Sequence, residues 1–342
     1  MNDAVRNVAV VILNWNGKKF LEKFLPDVVK KSSIADIIVA DNGSTDDSVI
    51  FLQQRFPSVQ VLNLGENWGF AAGYNLALEQ LDYKYYVLLN SDVEVTDNWI
   101  EPLKAFMDAH EEYGACQPKL LSYYEKNKFE YAGAAGGYID FLGYPFCRGR
   151  IFQEVETDNH QYDEFYDIFW ATGACMFVRG EAFKQLGGFD GNFFAHMEEI
   201  DLCWRMKNAG YKISYCPTST VYHVGGGTLP RNSARKTYLN MRNNITMIYK
   251  NLPKGAVFPV LFVRFFLDII AAFKFICDGN PRDFIAVGKA HLSFIRHFGL
   301  NRAKRKSINH HEVSCIYKKS IVFQHYIKKT TTFASLEPKD FS

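Results

Sequence analysis

The sequence predicts an α/β protein with a doubly wound, mostly parallel sheet and a C-terminal helical extension. Apolar, β-branched runs of strand length alternate with segments of helical spacing, which is typical of parallel strands joined by helices. Polar side chains follow directly after three of the apolar runs. After about residue 230 the strand pattern stops and long helical segments follow, which indicates the extension.

The first two predicted strands end in polar residues. Asn7–Leu13 (NVAVVIL) is a β-branched run typical of a buried strand, and Asn14 and Asn16 follow it. Ile34–Ala40 is a second buried strand, and Asp41 follows it. Because open α/β sheets bind ligands beyond the carboxyl ends of their strands, we expect these three polar side chains to lie at one edge.

The segment Tyr85–Val95 (YYVLLNSDVEV) predicts the central strand. Its run Tyr86–Leu89 is continuously apolar, which suits a strand that is covered on both faces. Asn90 and Asp92 then stand at its carboxyl end, where the Asp92 carboxylate would be a hard oxygen ligand for Mg²⁺ or Mn²⁺. The alternative is an ordinary Asx turn after the strand.

Periodicity predicts the remaining elements before residue 230. The predicted helices cover Lys18–Lys31, a segment ending at Phe56, Ala71–Leu81, Trp99–His110 and His196–Asn208. The predicted strands cover Val59–Leu64, Phe169–Val178, Lys212–Cys216 and Thr220–His223. Three acidic residues begin the last helix, and acidic residues there also stabilise a helix through its dipole.

The composition excludes several classes of function. A formal net charge of +2 gives no basis for nucleic acid as the main partner. The seven cysteines include no C-x-x-C pair, which argues against a zinc site and favours a reducing compartment. No signal peptide is expected, so we predict a cytoplasmic protein. The dinucleotide and P-loop glycine patterns do not occur.

The apolar segment Ala256–Ile276 in the extension has two interpretations. It contains Arg264, Asp268 and Lys274, so no uncharged run reaches the roughly 18 to 20 residues that a membrane span needs. One interpretation is an interfacial helix, peripheral on the inner face of the plasma membrane and supported by the cationic Asn301–Lys306 (NRAKRK). The other is an ordinary helix that packs on the preceding domain.

Six segments in a fixed order together resemble the family 2 glycosyltransferases, especially the bacterial rhamnosyltransferase-like branch. Any one of them is a weak match, but six in the order of the family are specific. A weaker similarity occurs at Tyr238–Asn243 (YLNMRN). The six segments are Val10–Gly17, Ile37–Ser48, Asn63–Asn75, Tyr85–Val95, Phe169–Phe194 and Glu198–Thr228.

The resemblance implies a GT-A fold, a divalent metal (Mg²⁺ or Mn²⁺), a nucleotide-sugar donor and inversion at the anomeric carbon. It suggests UDP- or dTDP-sugars, with dTDP-rhamnose as the donor of the branch, and a glycan or polyprenyl-linked acceptor in cell-surface polysaccharide synthesis. Residues 1–230 would be the catalytic domain, and residues 231–306 a helical region that associates with a membrane or packs on the domain. Residues 307–342 would be a partly disordered tail.

The matching motifs also imply roles for residues on the donor side. Asp41 would bond the base imide of a uracil or thymine nucleotide, and Asn14 and Asn16 would line the same pocket. Gly69 and Asn75 would lie beside the ribose and the diphosphate. These roles are implied by the resemblance alone.

The metal and the general base are implied by two further motifs. Asn90 and Asp92 stand where the family has its D-x-D metal motif, and His223 matches a histidine that completes the metal site in several relatives. Glu199 falls on the general-base position of the pattern E-D-x-D, and Asp201 matches its last carboxylate. The chain departs from these patterns at two positions. Asn90 replaces the first Asp of D-x-D, and Glu199 replaces the first Asp of E-D-x-D.

The remaining predicted site residues each have a plainer interpretation. Trp170, Thr172 and Gly173 lie where relatives contact a sugar, but this aromatic region could also be core. Glu198 is assigned to the substrate site with Asp201. Those two share a helix face, so they could instead anchor a loop or pair with an arginine such as Arg205. Taken by itself, His223 could be an ordinary histidine at the end of a strand.

Two other functions remain open from the sequence. A nucleotidyltransferase also combines a parallel sheet with a metal-binding carboxylate, but it normally has a basic, glycine-rich loop after the first strand. A non-catalytic nucleotide-sugar-binding protein would need none of the catalytic carboxylates. Release of nucleoside diphosphate from a donor and an acceptor would separate these functions from glycosyl transfer.

Overall fold

The structure is a computed structural model that describes residues 7–225 and 233–342. Strands and helices alternate from the start of the described chain. The first elements are β1 (Val8–Asn14), α1 (Lys18–Lys31), β2 (Asp36–Asp41), α2 (Ser48–Arg55), β3 (Gln60–Asn63), α3 (Gly69–Glu79), β4 (Tyr85–Asn90), β5 (Val93–Val95) and α4 (Glu101–Ala109).

Short strands dominate the middle of the chain, and helices dominate its end. The middle elements are β6 (Tyr113–Ser122), β7 (Gly137–Asp140), β8 (Pro145–Cys147), β9 (Arg150–Ile151), β10 (Glu154–Val155), β11 (Tyr166–Asp167), β12 (Cys175–Arg179), α5 (Gly180–Gln185), α6 (Glu198–Asn208) and β13 (Lys212–His223). The last elements are α7 (Ala234–Asn251), α8 (Lys254–Cys277), α9 (Pro281–Arg296), α10 (Phe298–Lys306), β14 (Ile316–Tyr317) and α11 (Ile321–Tyr326).

The main sheet has the strand order β11-β13-β6-β12-β4-β1-β2-β3, and β5 pairs with β13. Strands β3, β2, β1 and β4 are parallel, as the alternation predicted. Strand β12 is antiparallel to both β4 and β6, a reversal that the apolar pattern did not indicate. The predicted α/β fold class is confirmed, and β4 lies at the centre of the sheet between β12 and β1.

Both faces of the central strands are buried, which explains their continuous apolar runs. In β4, Tyr86 and Leu88 belong to one hydrophobic cluster, while Tyr85, Val87 and Leu89 belong to the other. Every one of these side chains is fully buried. The strand therefore cannot shift by one residue without exchanging its two faces, so the position of the polar residues at its end is fixed.

A second sheet packs beside the first with the order β10-β9-β8-β7-β14. Its outer strand β14 comes from the last part of the chain and pairs in parallel with β7. Tyr317 in β14 is buried among the rings of Phe146 and Phe341. Residues after 307 thus add a strand and a helix to the fold, whereas the sequence suggested partial disorder there.

The helical extension begins at Ala234, where the Ser233 side chain accepts a hydrogen bond from the backbone N–H of Lys236. The predicted start at Arg231 and the domain boundary at 230/231 lie outside the described residues, so the division into three parts stays a prediction. Among the described helices, only α8 is long and apolar enough to cross a membrane, with a mean hydropathy of 2.2.

Candidate active site

Strand pairing brings Asp92 and His223 together at the end of β4. Strand β13 runs antiparallel to β5 with His223 opposite Val93, so the histidine is adjacent to the turn that carries Asp92. His223 Nε2 lies 3.2 Å from Asp92 Oδ1 and 3.4 Å from Asn90 Nδ2. The two predicted metal ligands, Asp92 and His223, therefore lie together with Asn90, which was assigned to substrate binding, although His223 is distant from the other two in sequence.

The charges of this pair stabilise each other. Burial alone would raise the pKa of Asp92, but the hydrogen bond and charge of His223 hold that pKa below its usual value. Burial alone would lower the pKa of His223, but Glu130 and Asp92 outweigh burial and raise it to about 10. A positive charge is thus favoured between these two carboxylates.

The donor set of this pair fits Mg²⁺ or Mn²⁺. A carboxylate oxygen and an imidazole nitrogen lie next to each other, and both side chains are buried at the carboxyl edge of the sheet. Two protein ligands leave the other coordination positions to phosphate oxygens and water, as is usual for these ions at nucleotide sites. Asp92 and His223 are therefore the residues that would hold a metal ion here.

Another group of potential ligands is already neutralised by a lysine. Asp158, His160 and Asp163 lie close enough to share an ion. The Lys119 ammonium, however, pairs with both aspartates of this group, at 2.9 Å from Asp158. Because the lysine supplies the cation, this group is an ion-pair cluster.

The residues that were predicted to line a base pocket meet at the ends of β1 and β2. Asp41 Oδ1 accepts a hydrogen bond from Asn14 Nδ2 at 3.1 Å, and its Oδ2 accepts one from the Ser44 backbone N–H at 3.0 Å. Asn16 is exposed, and its Oδ1 accepts from the Thr45 backbone N–H at 2.7 Å. The three predicted residues are brought together by the loop after β2, and their contact with a base stays a prediction.

Gly69 and Asn75 fix a neighbouring loop onto α3. Gly69 has a φ of +75°, and a Cβ there would lie 2.5 Å from the ring of Phe194. The Asn75 amide donates to the Phe189 carbonyl at 2.8 Å and accepts from the Phe189 N–H at 2.9 Å. Both groups are engaged by that loop, and their contact with ribose or diphosphate stays a prediction.

The turn before α6 is strained and is held by the helical extension. Phe194, His196 and Met197 all have positive φ values, between 65° and 72°, which are costly for residues with a Cβ. The side chain of Asn243 donates to the carbonyls of Phe193, Ala195 and His196, with the last distance being 2.7 Å. The weaker similarity at Tyr238–Asn243 thus supplies the residue that holds this turn.

Of the three acidic residues in the first turn of α6, Glu199 differs from the other two. Glu198 and Asp201 are buried on one helix face, as their spacing predicted, whereas Glu199 is partly exposed. Among the described residues, the buried Oε2 atoms of Glu198 and Glu199 both lack a hydrogen-bond partner, so partial exposure is what separates Glu199 from Glu198. Burial raises the pKa of Glu199 to about 7, so the carboxylate can accept a proton near neutral pH.

Gly173 is placed beside this carboxylate. A Cβ on Gly173 would lie 3.9 Å from the Glu199 Cβ and 3.1 Å from the ring of Phe70. A side chain at this position would therefore crowd Phe70 and contact the side chain of Glu199. The structure thus brings Phe169–Gly173 (FWATG) and α6 together.

Trp170 and Thr172 require a correction, because their side chains are not available to a sugar. Trp170 is 3% exposed, packs on Gly137 and donates its indole N–H to the Tyr138 carbonyl at 3.0 Å. Thr172 is also buried, and its hydroxyl accepts from the Ala174 N–H. The alternative of a core role is the correct one for Trp170.

Asp201 also requires a correction, since it is fully buried and saturated by protein groups. It accepts from Arg205 Nε at 2.9 Å and from Asn251 Nδ2 at 2.8 Å, and Lys250 Nζ lies 2.9 Å away. Pairing with Arg205 is the alternative that the helix spacing offered. Glu198 is likewise buried, and burial followed by the charge of Glu199 raises the pKa of Glu198 well above its usual value.

Three contributors to the site were absent from the predicted set. Ser44 lies inside a quoted motif, and its hydroxyl accepts from both Asn14 and the Asn16 backbone. Glu130 and Lys250 lie outside all six motifs, so no sequence signal separated them from ordinary charged residues.

Comparison with known proteins finds a matching family profile and similar proteins. The profile described as Glycosyl transferase family 2 matches residues 9–187. The chain is 27% identical to N-acetylglucosaminyl-diphospho-decaprenol L-rhamnosyltransferase of Mycobacterium tuberculosis, over 70% of this chain and 82% of that protein. It is 26% identical to the rhamnosyltransferase WbbL of Escherichia coli, over 63% of this chain and 83% of that protein.

Two solved structures share the fold. GalNAc-T7 with UDP, GalNAc and Mn²⁺ superposes with a TM-score of 0.57 at 16% identity, over 96% of this chain and 57% of that one. Residues 1–349 of TarS from S. aureus with UDP-GlcNAc superpose with a TM-score of 0.54 at 15% identity, over 87% and 88% of the two chains. These likenesses confirm the predicted GT-A fold.

Proposed function

The chain belongs to glycosyl transferase family 2 and is a hexosyltransferase-type enzyme, and we propose that it is inverting and metal-dependent, with a UDP- or dTDP-sugar as donor. The proposed acceptor is a hydroxyl group of a glycan carried on a polyprenyl lipid. One observation carries the mechanism: Glu199 is the partly exposed carboxylate in the first turn of α6, and it lies beside Gly173, whose neighbour Ala174 accepts a hydrogen bond from the Asn90 N–H at the end of β4.

The reaction requires a group that takes the acceptor proton and a cation that stabilises the leaving diphosphate, and different residues of the site can supply these two functions. The bond between the anomeric carbon and the diphosphate breaks, while the acceptor oxygen bonds to that carbon from the opposite face and inverts it. The acceptor proton passes to the Glu199 carboxylate, a step that typically contributes about 10²–10⁴-fold to the rate. A divalent ion held by Asp92 and His223 would stabilise the charge on the departing diphosphate.

The pocket at Asp41 supports a pyrimidine donor. A carboxylate can accept a hydrogen bond from the imide N–H of uracil or thymine, whereas adenine presents no imide. The Asn14 amide and the Ser44 N–H orient the two oxygens of Asp41 at the ends of β1 and β2. The sugar and the lipid are proposed from the names of relatives, of which one acts on N-acetylglucosaminyl-diphospho-decaprenol.

The outer side of α8 supports a position at the membrane. Large apolar side chains point to solvent along the helix, and they define what we call the apolar face. Phe273 of this face also contacts Phe284 of α9, at 5.7 Å between ring centroids, so the apolar surface continues onto the next helix. The apolar face consists of Phe258, Phe262, Phe266, Ile270 and Phe273, which are 50–67% exposed.

Two charged side chains in the middle of α8 point the other way, whereas Lys274 near its end is exposed. Arg264 and Asp268 are only 2% and 1% exposed. Arg264 donates to the Leu142 carbonyl at 2.9 Å and lies 3.4 Å from Asp268, which also contacts His291 at 3.2 Å. In the middle of α8 the charges lie inside and the aromatic rings outside, which is the reverse of a helix that faces water, so an apolar medium suits this surface.

An anionic bilayer fits this surface better than a second copy of the chain. Exposed basic side chains lie on the helices that follow the apolar face, and they would attract acidic lipid headgroups. A lipid-linked acceptor would also be presented at a membrane. We therefore place the enzyme on the cytoplasmic side of a membrane. The exposed basic residues are Arg282, Lys289, Arg296, Arg302 and Lys306.

The proposed function is tested by following transfer directly. Purified protein, a dTDP- or UDP-sugar, Mn²⁺ and a polyprenyl-diphosphate-linked N-acetylglucosamine are combined, and the released nucleoside diphosphate is measured. The anomeric configuration of the product is determined by NMR. We expect release only when the acceptor is present, with inversion of configuration. Retention, or absence of transfer with every donor of this class, would contradict the proposal.

A further inference from the structure

Glu130 is a buried carboxylate on the far side of His223 from Asp92. It is 5% exposed and lies in the segment between β6 and β7. Its Oε1 is 3.3 Å from His223 Nδ1, an ion-pair contact without the alignment of a hydrogen bond. On the other edge of the ring, His223 Nε2 is 3.2 Å from Asp92 Oδ1. The imidazole thus lies between two carboxylates, one at each nitrogen.

Glu130 is itself fixed in place. Its Oε2 accepts a hydrogen bond from the Ala132 backbone N–H at 2.6 Å. Its own N–H donates to the Leu120 carbonyl at 3.0 Å, and its carbonyl accepts from the Ala134 N–H at 3.2 Å. These bonds hold both the backbone and the carboxylate, so Glu130 provides a rigid acceptor beside Nδ1.

We propose that Glu130 is a positioning residue: when a metal ion takes the place of the Nε2 proton of His223, the Glu130 carboxylate keeps the remaining proton on Nδ1 and so directs the Nε2 lone pair towards the metal site. The inference rests on the proposed function, because it concerns the metal that Asp92 and His223 would hold. Neutral imidazole carries its proton on one nitrogen only, so an acceptor beside Nδ1 leaves Nε2 free to bind. Carboxylate partners of this kind orient metal-binding histidines and strengthen the metal–nitrogen bond.

The test measures Mn²⁺ binding without any turnover. Electron paramagnetic resonance counts free Mn²⁺ during titration of the full chain, first with the metal alone and then with saturating UDP. Glu130→Ala should weaken Mn²⁺ binding by about 10–100-fold, the usual cost of losing such a partner. Glu130→Gln should bind Mn²⁺ better than the alanine variant, because its amide oxygen keeps an acceptor beside Nδ1. Neither variant should change UDP affinity in EDTA.

A matched variant and a double substitution separate positioning from folding. Glu156→Gln changes a carboxylate whose bonds go to the Tyr162 hydroxyl and the Phe333 N–H, and it should bind Mn²⁺ like the wild type. In a His223→Ala background, Glu130→Gln should have no further effect. If His223→Ala loses Mn²⁺ binding but both Glu130 variants bind Mn²⁺ like the wild type, the inference is overturned. Unchanged binding in His223→Ala and Asp92→Ala would instead overturn the metal site itself.

Discussion

Lys250 on α7 lies 2.9 Å from the carboxylate of Asp201 on α6, and the two side chains are almost completely buried. The same ammonium lies 2.6 Å from Asp190, which also pairs with Lys304 of α10. The first turn of α6 carries Glu199. The helical extension therefore fixes the helix that carries the proposed base.

The first prediction concerns the stability that Lys250 provides. Lys250→Ala should lower the free energy of unfolding by about 3–5 kcal/mol, because it leaves two buried carboxylates without their shared cation. Urea unfolding followed by circular dichroism measures the change. Lys289→Ala, at an exposed position on α9, is the matched control and should shift stability by less than about 0.5 kcal/mol. Equal effects of the two substitutions would contradict the role of Lys250.

The second prediction concerns Asp92. Asp92→Ala should abolish transfer and remove the metal-dependent part of donor binding, because the substitution deletes the proposed oxygen ligand. Calorimetry compares the affinity for UDP in Mn²⁺ with that in EDTA. Asp97→Ala, at an exposed position beyond β5, should keep the metal dependence. If Asp92→Ala kept it as well, Asp92 would not be a metal ligand.

These two residues show what the sequence could and could not predict. Asp92 was found because it ends an apolar strand inside a recognisable motif, and such local patterns survive in a single sequence. Lys250 was not found, because its pairing with Asp201 joins residues 49 positions apart. Trp170 was misassigned to a sugar contact, since an aromatic residue gives the same signal in a core and in a binding site.

The third prediction concerns the base of the donor. UDP or dTDP should raise the melting temperature more than ADP at equal concentration, because Asp41 can accept from the imide N–H of uracil or thymine. Differential scanning fluorimetry measures the three shifts. Asp41→Asn should reduce the difference between the melting shifts with UDP and with ADP. Asp47→Asn, an exposed substitution in the same loop, should leave that difference unchanged. Indistinguishable shifts for ADP and UDP would contradict pyrimidine selection.

The fourth prediction concerns the apolar face. Wild-type protein should cosediment with vesicles that contain anionic lipid, and binding should weaken with salt because the basic residues contribute. Phe262→Asp with Phe266→Asp should reduce binding by tenfold or more, since each lost ring removes about 1.5–3 kcal/mol of apolar burial. Phe323→Asp, an equally exposed ring on α11, is the control. If cosedimentation changed neither with lipid charge, nor with salt, nor with the double substitution, the result would favour the alternative that α8 only packs on the preceding domain.

The fifth prediction concerns Glu199 as the general base. Glu199→Gln should leave donor binding nearly unchanged and lower turnover by about 10² or more, because the amide cannot take the acceptor proton. Glu199→Asp should keep substantial activity. In the wild type, turnover should rise with pH through about 7, where the carboxylate ionises. Near-normal turnover in Glu199→Gln, with collapse in Glu198→Gln or Asp201→Asn, would move the base to a neighbour.

The same pKa gives Glu199 a measurable effect on stability. The pKa is raised by burial from 4.5 in the unfolded chain to about 7 in the folded one, so the folded state binds the proton more tightly. The stabilisation is fully present below about pH 4.5 and is lost as the pH rises through about 7. Glu199→Gln should therefore match the wild type in stability at pH 4.5 and exceed it at pH 8. Denaturant unfolding measures the difference in the free energy of unfolding between the variant and the wild type at both pH values. An equal difference at both would show that ionisation of Glu199 does not destabilise the folded state.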